Sequence, residues 1–494
     1  DKYDTPVMYF TLVNISSTLY NLTELNRAAS TSGPLGGKIQ CERVPGQSRT
    51  RLRLPPRRRD AASQGAPPST NADGRQRNRR FDLGILPRTG RYRVTTGELS
   101  GAFADFGVLI PLEAALIAIN GINPTSTLLG VGVAYVLAGW YFRLPMPVQP
   151  LKAFSVIAIA QALSPSVIAA GALLMSLSLF LLASTRAIEY LNRVVPQQVV
   201  RGVQFGLGVL LIRSAAGMVF TKPFLVGGEG RRYLDLAGFD VSVGVLVGLL
   251  SVALLLFFIW RPLLPAGAVV AVAGVAIGLA LEGDGVRLSL GPSPMEFAWP
   301  EAGDFSKAFV VLVIPQLPLT VTNAVIATVD TARSYFGEEA RRVTPVRTSL
   351  SMVAGNLWAG LAGGLPICHG SGGLTAHFRM GARSPVSTSI TGAMLVTVAL
   401  LFGGSALEVR SLVPYAVLGA LLLYVGVQHL LLGLKVEDPR HLVVVAVVGV
   451  VAAAPFGNLA SGAGAGLVVS WGGRLLGVLL ERRRVRTALE PSQD

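Results

Sequence analysis

From Gly97 onward the chain alternates long apolar stretches with short polar turns, and the pattern reads as fourteen segments in two sets of seven. The first set covers approximately 98–120, 124–142, 148–163, 165–184, 195–216, 240–260 and 263–282. The second covers approximately 306–330, 346–364, 367–380, 386–404, 411–433, 441–453 and 457–480. A helix needs about 20 apolar residues to cross a bilayer core of ~30 Å. The third segment of each set falls short: MPVQPLKAFSVIAIA, starting at Met146, and LPICHGSGGLTAHF, starting at Leu365, are broken by proline or glycine. Bare backbone at membrane depth is tolerated only where it lines a cavity. Breaks at corresponding places in two halves point to a substrate site made by half-helix N-termini in an inverted-repeat transporter. The expected fold is an all-α polytopic membrane protein with 14 transmembrane segments arranged as 7+7 inverted repeats, the third and tenth spans being broken.

Composition agrees with that pattern. Of 494 residues, 51% are hydrophobic and 14% charged, too apolar for a soluble domain. The net charge of +15 is concentrated in a tail and in short connections, so it does not by itself indicate a nucleic-acid partner. Residues 1–92 read as a disordered basic tail rich in Arg, Pro, Ser and Gly, on which no function is rested; residues 93–494 read as the transport domain, with a basic end at 481–494. The tail's arginines lack an aromatic platform and fit a solvated segment beside an anionic membrane face. With that tail inside, the connections holding Arg143, residues 186–193, Arg261, SYFGEEARRVTPVR, and Arg379 with Arg383 fall on the cytoplasmic side. The EGDG to EAGD stretch and the NGINP and PFGNLA turns then fall outside, and both termini are cytoplasmic. No organelle-targeting pattern is evident, so a bacterial inner membrane is the expected location. Glycines such as Gly202, Gly206, Gly208, Gly355 and Gly360 read as helix-packing positions.

Candidate chemistry gathers at the two breaks. Pro147 and Pro150 forbid a continuous helix, and a half-helix is expected to begin near Gln149, its free amides and positive dipole end facing what lies in front. Lys152 adds a full charge in the first turn; it reads either as a substrate ligand or as a side chain that snorkels or pairs with a carboxylate. In the second break, Gly370, Gly372 and Gly373 supply flexible backbone, and Ser371 is expected to cap the helix that follows. Two half-helix ends plus Lys152 sum to roughly two positive charges, a complement for a divalent oxyanion. Cys368 beside His369 invites a thiol-enzyme reading, but no third orienting group is evident, and His369 reads better as a substrate donor. The first span of each half should cross near the breaks. There Glu98 and Asp105, seven residues apart, are candidates for proton or cation coupling, with an ion pair from Asp105 to Lys152 or Arg201 as the structural alternative. Gln316, Thr320 and Asn323 follow at helical spacings as candidate hydrogen-bonding groups. No metal spacing or cofactor motif is present in the sequence.

The runs GAFADFGVLIPL, MPVQPLKAFSVIA, VVPQQVVRGVQFGLG, PQLPLTVTNAVIA and GGLPICHGSGGLTAHFRMGARS together resemble the molybdate transporter family of plants, algae and bacteria, a branch of the sulfate permease superfamily. The resemblance covers Gly97 to the end and is most specific in PMPVQPLK, QLPLTVTNAVIA and PxCHGxGGL. It implies core and gate domains with an oxyanion held between the third and tenth spans. Carried onto this chain, the substrate region would be Gln149, Pro150 and Lys152 with His369, Gly370, Ser371, Gly372 and Gly373, flanked by Asp105, Gln316 and Asn323. The family's usual Gly-Asp-Leu-Gly appears here as Ala104, Asp105, Phe106 and Gly107. The absence of a regulatory domain after the last segment fits the molybdate branch. The expected function is secondary active transport of molybdate or a related oxyanion with a coupled proton or cation, as a membrane protein among lipids, with a homodimer as a further expectation. Sulfate transport, a nucleobase permease of the same fold and a membrane thiol enzyme are the alternatives.

Overall fold

Four of the long helices begin in the same way, with a polar residue followed by proline. Asn123, Ser164, Thr344 and Ser384 stand outside the helix and accept a first-turn amide with their side chains, while Pro124, Pro165, Pro345 and Pro385 occupy the first helical positions. Proline is suited there because its missing N–H would lack a partner anyway. These starts fall at the second and fourth segments of each set.

The computed structural model describes residues 92–489 except 186, 189–195, 237–238, 262–263, 283–288, 296–298, 437 and 455–458. The tail up to residue 91, most of the 186–193 connection, the EGDG turn and most of the PFGNLA turn therefore lie outside the described residues.

In chain order the first set contains α1 (Thr96–Gly101), α2 (Phe106–Ala115), α3 (Pro124–Phe142), strand β1 (Gln149–Pro150), α4 (Lys152–Ala160), α5 (Pro165–Ser184), α6 (Gln197–Phe220), strands β2 (Tyr233–Leu236) and β3 (Phe239–Ser242), α7 (Val243–Trp260) and α8 (Ala266–Glu282). The second contains α9 (Ala302–Ala308), α10 (Ile314–Leu319), α11 (Ala327–Phe336), α12 (Pro345–Ala362), strand β4 (Ile367–Cys368), α13 (Ser371–Arg379), α14 (Pro385–Val409), α15 (Tyr415–Gly433), α16 (His441–Ala453) and α17 (Leu459–Leu489). Wide π turns continue α2 to Asn120 and link α9 to α11.

Among the described residues, eight helical stretches are long and apolar enough to cross a membrane, with α8 and α16 shorter but apolar. Their outward faces carry exposed Leu137, Phe180, Leu249, Leu250 and Val272, as lipid-facing helices do. The chain is an integral, mostly helical membrane protein. Three expectations change. The fold is not purely helical, because β1 pairs with β4 and β2 with β3, the latter inside the mixed-charge loop after α6. The eighth segment runs as one helical stretch from Ala302 to Arg342, and the last helix extends to Leu489 rather than 480.

Packing sorts the helices into partnerships. Helix α3 lies chiefly against α14 and α5 against α12, whereas α6 lies against α15 and α16. Glycine permits the closest of these approaches: a Cβ on Gly208 would sit 2.5 Å from the Leu430 amide, and one on Gly392 2.5 Å from the Gly132 carbonyl.

Candidate functional site

The two breaks meet. Strands β1 and β4 are antiparallel, with Gln149 opposite Cys368 and Pro150 opposite Ile367. The pairing continues at each end, where the Leu151 amide donates to Pro366 O at 3.0 Å and His369 Nδ1 lies 2.7 Å from Pro147 O. Asn356 braces the pair from α12, donating to Ile367 O at 2.8 Å and accepting the Ile367 amide at 3.0 Å. Each strand leads into a nine-residue helix, α4 or α13. At 1.5 Å per residue each is ~13.5 Å long, less than half the bilayer core. Because the strands run in opposite directions, the N-termini of α4 and α13 lie at opposite ends of one short strand pair. The half-helix thus starts at Lys152, not near Gln149, and Pro150 belongs to the strand, where it need donate nothing.

The first turn of α13 is shaped by its glycines. Gly370, with extended φ −150° and ψ 129°, is the N-cap residue; Ser371 is the first helical residue, so it does not cap the helix as its sequence position suggested. The side chain of Gln149 lies over this turn. A Cβ on Gly370 would sit 2.7 Å from Gln149 Oε1, and one on Gly373 would sit 2.6 Å from both Gln149 Nε2 and Asp105 Oδ1. Gly372 is different: it is exposed, and nothing lies within 4 Å of where its Cβ would be.

Asp105 comes from the first span, where it precedes α2. It is buried and takes three partners: Gln149 Nε2 donates to Oδ1, Tyr135 Oη donates to Oδ2 at 2.7 Å, and His377 Nε2 lies 3.1 Å from Oδ2. Neither Lys152 nor Arg201 pairs with it; Arg201 bonds Gln204 and the Leu432 carbonyl instead. Gln149 therefore directs its donor to Asp105, and its Oε1 is left buried without a partner. Tyr135 is not singled out by the sequence, and His377, which has no ligand-like partner in sequence, gains one here in Asp105. His377 lies four residues after Gly373, one helical turn along the face that meets Asp105, and that spacing is the signal that identifies it.

On the α4 side, Gln316 reaches across from α10, accepting the Phe154 amide at 2.9 Å on Oε1 and donating to Thr320 Oγ1 at 2.8 Å. It supplies the cap that Leu151, an apolar N-cap residue, cannot provide. Lys152 is partly buried and, among the described residues, makes no side-chain hydrogen bond or ion pair. Asn323 is partly buried in the π turn after α10.

Two expected roles are not matched by this geometry. Glu98 lies outside the cluster, both carboxylate oxygens accepting backbone amides at the start of α14, from Arg383 at 2.9 Å and Ser387 at 3.1 Å. His369 is not turned toward the site but clips the strands, with Nδ1 at Pro147 O and Nε2 3.0 Å from Ser351 Oγ. Both its ring nitrogens are thus engaged away from the neighbouring Cys368, whose thiol meets the Pro150 carbonyl at 3.5 Å, and no thiol–imidazole dyad is formed.

Comparison with known proteins agrees with the motifs. A sequence model described as "Molybdate transporter of MFS superfamily" matches residues 97–211 and 308–429, which include both breaks and both first spans. Molybdate transporter 2 of Arabidopsis thaliana is 30% identical over 372 residues, 67% of this chain and 78% of that protein. Molybdate transporter 1 of the same plant is 26% identical over 367 residues, 68% of this chain and 79% of that protein. Both relatives are named transporters, not enzymes. Among solved structures, the transmembrane domain of a cyanobacterial bicarbonate transporter, BicA, superposes with TM-score 0.55 at 17% identity, covering 75% of this chain and 96% of that one. The murine anion transporter Slc26a9 in its inward-facing state gives TM-score 0.55 at 17% identity, covering 81% of this chain and 70% of that one. By its sequence, the chain belongs to the molybdate transporter family.

Proposed function

We propose that this protein moves molybdate, or a closely related tetrahedral oxyanion, across a membrane by alternating access around the paired breaks. The observation that carries the reading is the β1–β4 pair, from whose ends α4 and α13 begin, with open space in front of Gly372 and an unpaired ammonium at Lys152. In this reading a dianion sits at the first turn of α13, held by the amides of Ser371, Gly372 and Gly373, with Lys152 and the start of α4 completing the positive field. Gln149, Asp105, His377 and Tyr135 shape the turn behind it, Gln316 fixes α4, and Asn323 lies on the span that crosses nearby.

The fourteen-segment, 7+7 arrangement is part of the proposal. It is supported by the Pro-capped starts at matching places and by symmetric packing, in which the second segment of one half meets the fourth of the other. The grouping of α6 with α15 and α16 suits a gate moving against a core that contains both breaks. Entry of a 2− ion against a negative-inside potential costs about 2.3 kcal/mol per charge per 100 mV, so uptake calls for a coupled cation. The proposed setting is a bacterial inner membrane with both termini cytoplasmic.

Reconstituted vesicles test this. Labelled molybdate should accumulate under an imposed inward proton gradient, and Lys152→Ala should reduce uptake to the level of empty vesicles. Persistence with unchanged affinity would defeat the charge argument. Sulfate is the second reading, because charge and shape do not identify the central atom; equal competition by sulfate would favour it.

A further inference from the structure

The first span holds one more carboxyl, which neither the site nor the packing employs. Glu113 lies in α2, eight residues and ~12 Å of helix beyond Asp105, and is only 4% exposed. Its Oε1 is fully enclosed without a hydrogen-bond partner, and among the described residues its carboxyl makes no ion pair. Among the described residues, the two other buried carboxyls are both satisfied, Glu98 by two backbone amides and Asp105 by Tyr135, Gln149 and His377.

The ionisable groups on the elements around the first span are few. From α3 comes Tyr135, whose hydroxyl donates to Asp105. From α15 come Tyr415, His429 and Tyr424, the last with its hydroxyl 3.8 Å from where a Cβ on Gly107 would be; from α4 comes Lys152 at its start. Helix α8 sets Gly267 against Pro111, and Arg410 stands beside Gly121 past the end of the span. None of these is bonded to Glu113. An unpartnered carboxylate enclosed at membrane depth costs several kcal/mol, whereas the carboxylic acid is neutral and can stay. Ionisation therefore has to wait until the surroundings of the span open.

We infer that Glu113 is a proton-binding site of the transport cycle. It takes up one proton from the side on which the anion enters, holds it as –COOH while the span is enclosed, and releases it to water on the other side as –COO⁻. The inference rests on the transport reading above and names the group that carries one coupled proton.

Glu113→Gln, which is neutral and nearly isosteric, tests it in vesicles alongside wild type, with Glu113→Met as a second non-titrating variant. Three readouts are needed: molybdate–molybdate exchange at equal pH, accumulation driven by an inward proton gradient, and acidification of the lumen reported by a trapped dye. The expected result for both variants is exchange within about two-fold of wild type, with gradient-driven accumulation and molybdate-evoked acidification falling to the no-gradient level. Gradient-driven accumulation of wild-type size in Glu113→Gln overturns the inference, as does equal loss of exchange and accumulation, which marks a structural group. Absence of exchange by wild type would overturn the transport reading first, and this inference with it.

Discussion

Gly372→Ala separates a binding role from a folding role at a single methyl group. The residue is the second of α13, a position whose backbone accepts alanine, and nothing lies within 4 Å of the added carbon. Replacing glycine inside a helix stabilises by about 0.5–1 kcal/mol when the space is free, so the melting temperature should hold or rise. The methyl does, however, project into the space that the anion is proposed to fill. Moving the anion back by ~1 Å removes at least one amide–oxyanion hydrogen bond, of the kind worth about 1.5–3 kcal/mol. The expected effect is a KM for molybdate raised by about 10–150-fold in a protein that is folded and no less stable. Gly373→Ala is the matched contrast: its methyl would lie 2.6 Å from Asp105 Oδ1 and Gln149 Nε2, well inside ordinary contact, and should cost about 1–3 kcal/mol of stability through overpacking alone. Uptake assays and thermal unfolding of both variants decide the matter. A Gly372→Ala protein with wild-type KM and maximal rate would refute the placement of the anion at this turn.

Two further substitutions address the supporting groups. Gln316→Leu removes the acceptor of the Phe154 amide, a loss of about 1–2 kcal/mol for a helix cap, and should weaken uptake; Thr320→Val, which frees Gln316 Nε2, should do so less, and the double variant should match Gln316→Leu alone. Additive losses in that cycle would show that the two side chains act separately. Glu98→Gln substitutes a donor where an acceptor of two backbone amides is needed, so it should lower stability by about 1–3 kcal/mol and leave proton dependence of uptake unchanged. Altered coupling with an unchanged melting temperature would restore Glu98 as a coupling group.

Much of the helical layout was legible because the apolar runs are long and their boundaries are marked by local chemistry. The segment starting at Pro124 ends where Arg143 turns left-handed, and the one starting at Pro345 ends at Gly363 with φ 66°; cap, proline and stop signals all lie within a few residues of sequence. The meeting of the two breaks was legible too, as a pair of prolines against a glycine run. What sequence could not supply was the β1–β4 register, because the bonds that set it join positions more than two hundred residues apart.

The same limit explains the carboxylates. Spacing placed Glu98 and Asp105 on one helical face, yet what each does depends on partners brought in from α13 and α14, and those partners divide them: one holds a helix start, the other the α13 turn. A buried acid declares its role by what fails to meet it as much as by what does. Asp105 is met three times over, so its carboxyl is fixed in place as part of the frame that orients Gln149 and His377. A group that must gain and lose a proton each cycle cannot be so firmly solvated in one protonation state. By that reasoning the exchangeable proton belongs not on the carboxyl with the most partners but on the one that α2 buries with none, and Glu113 answers that description.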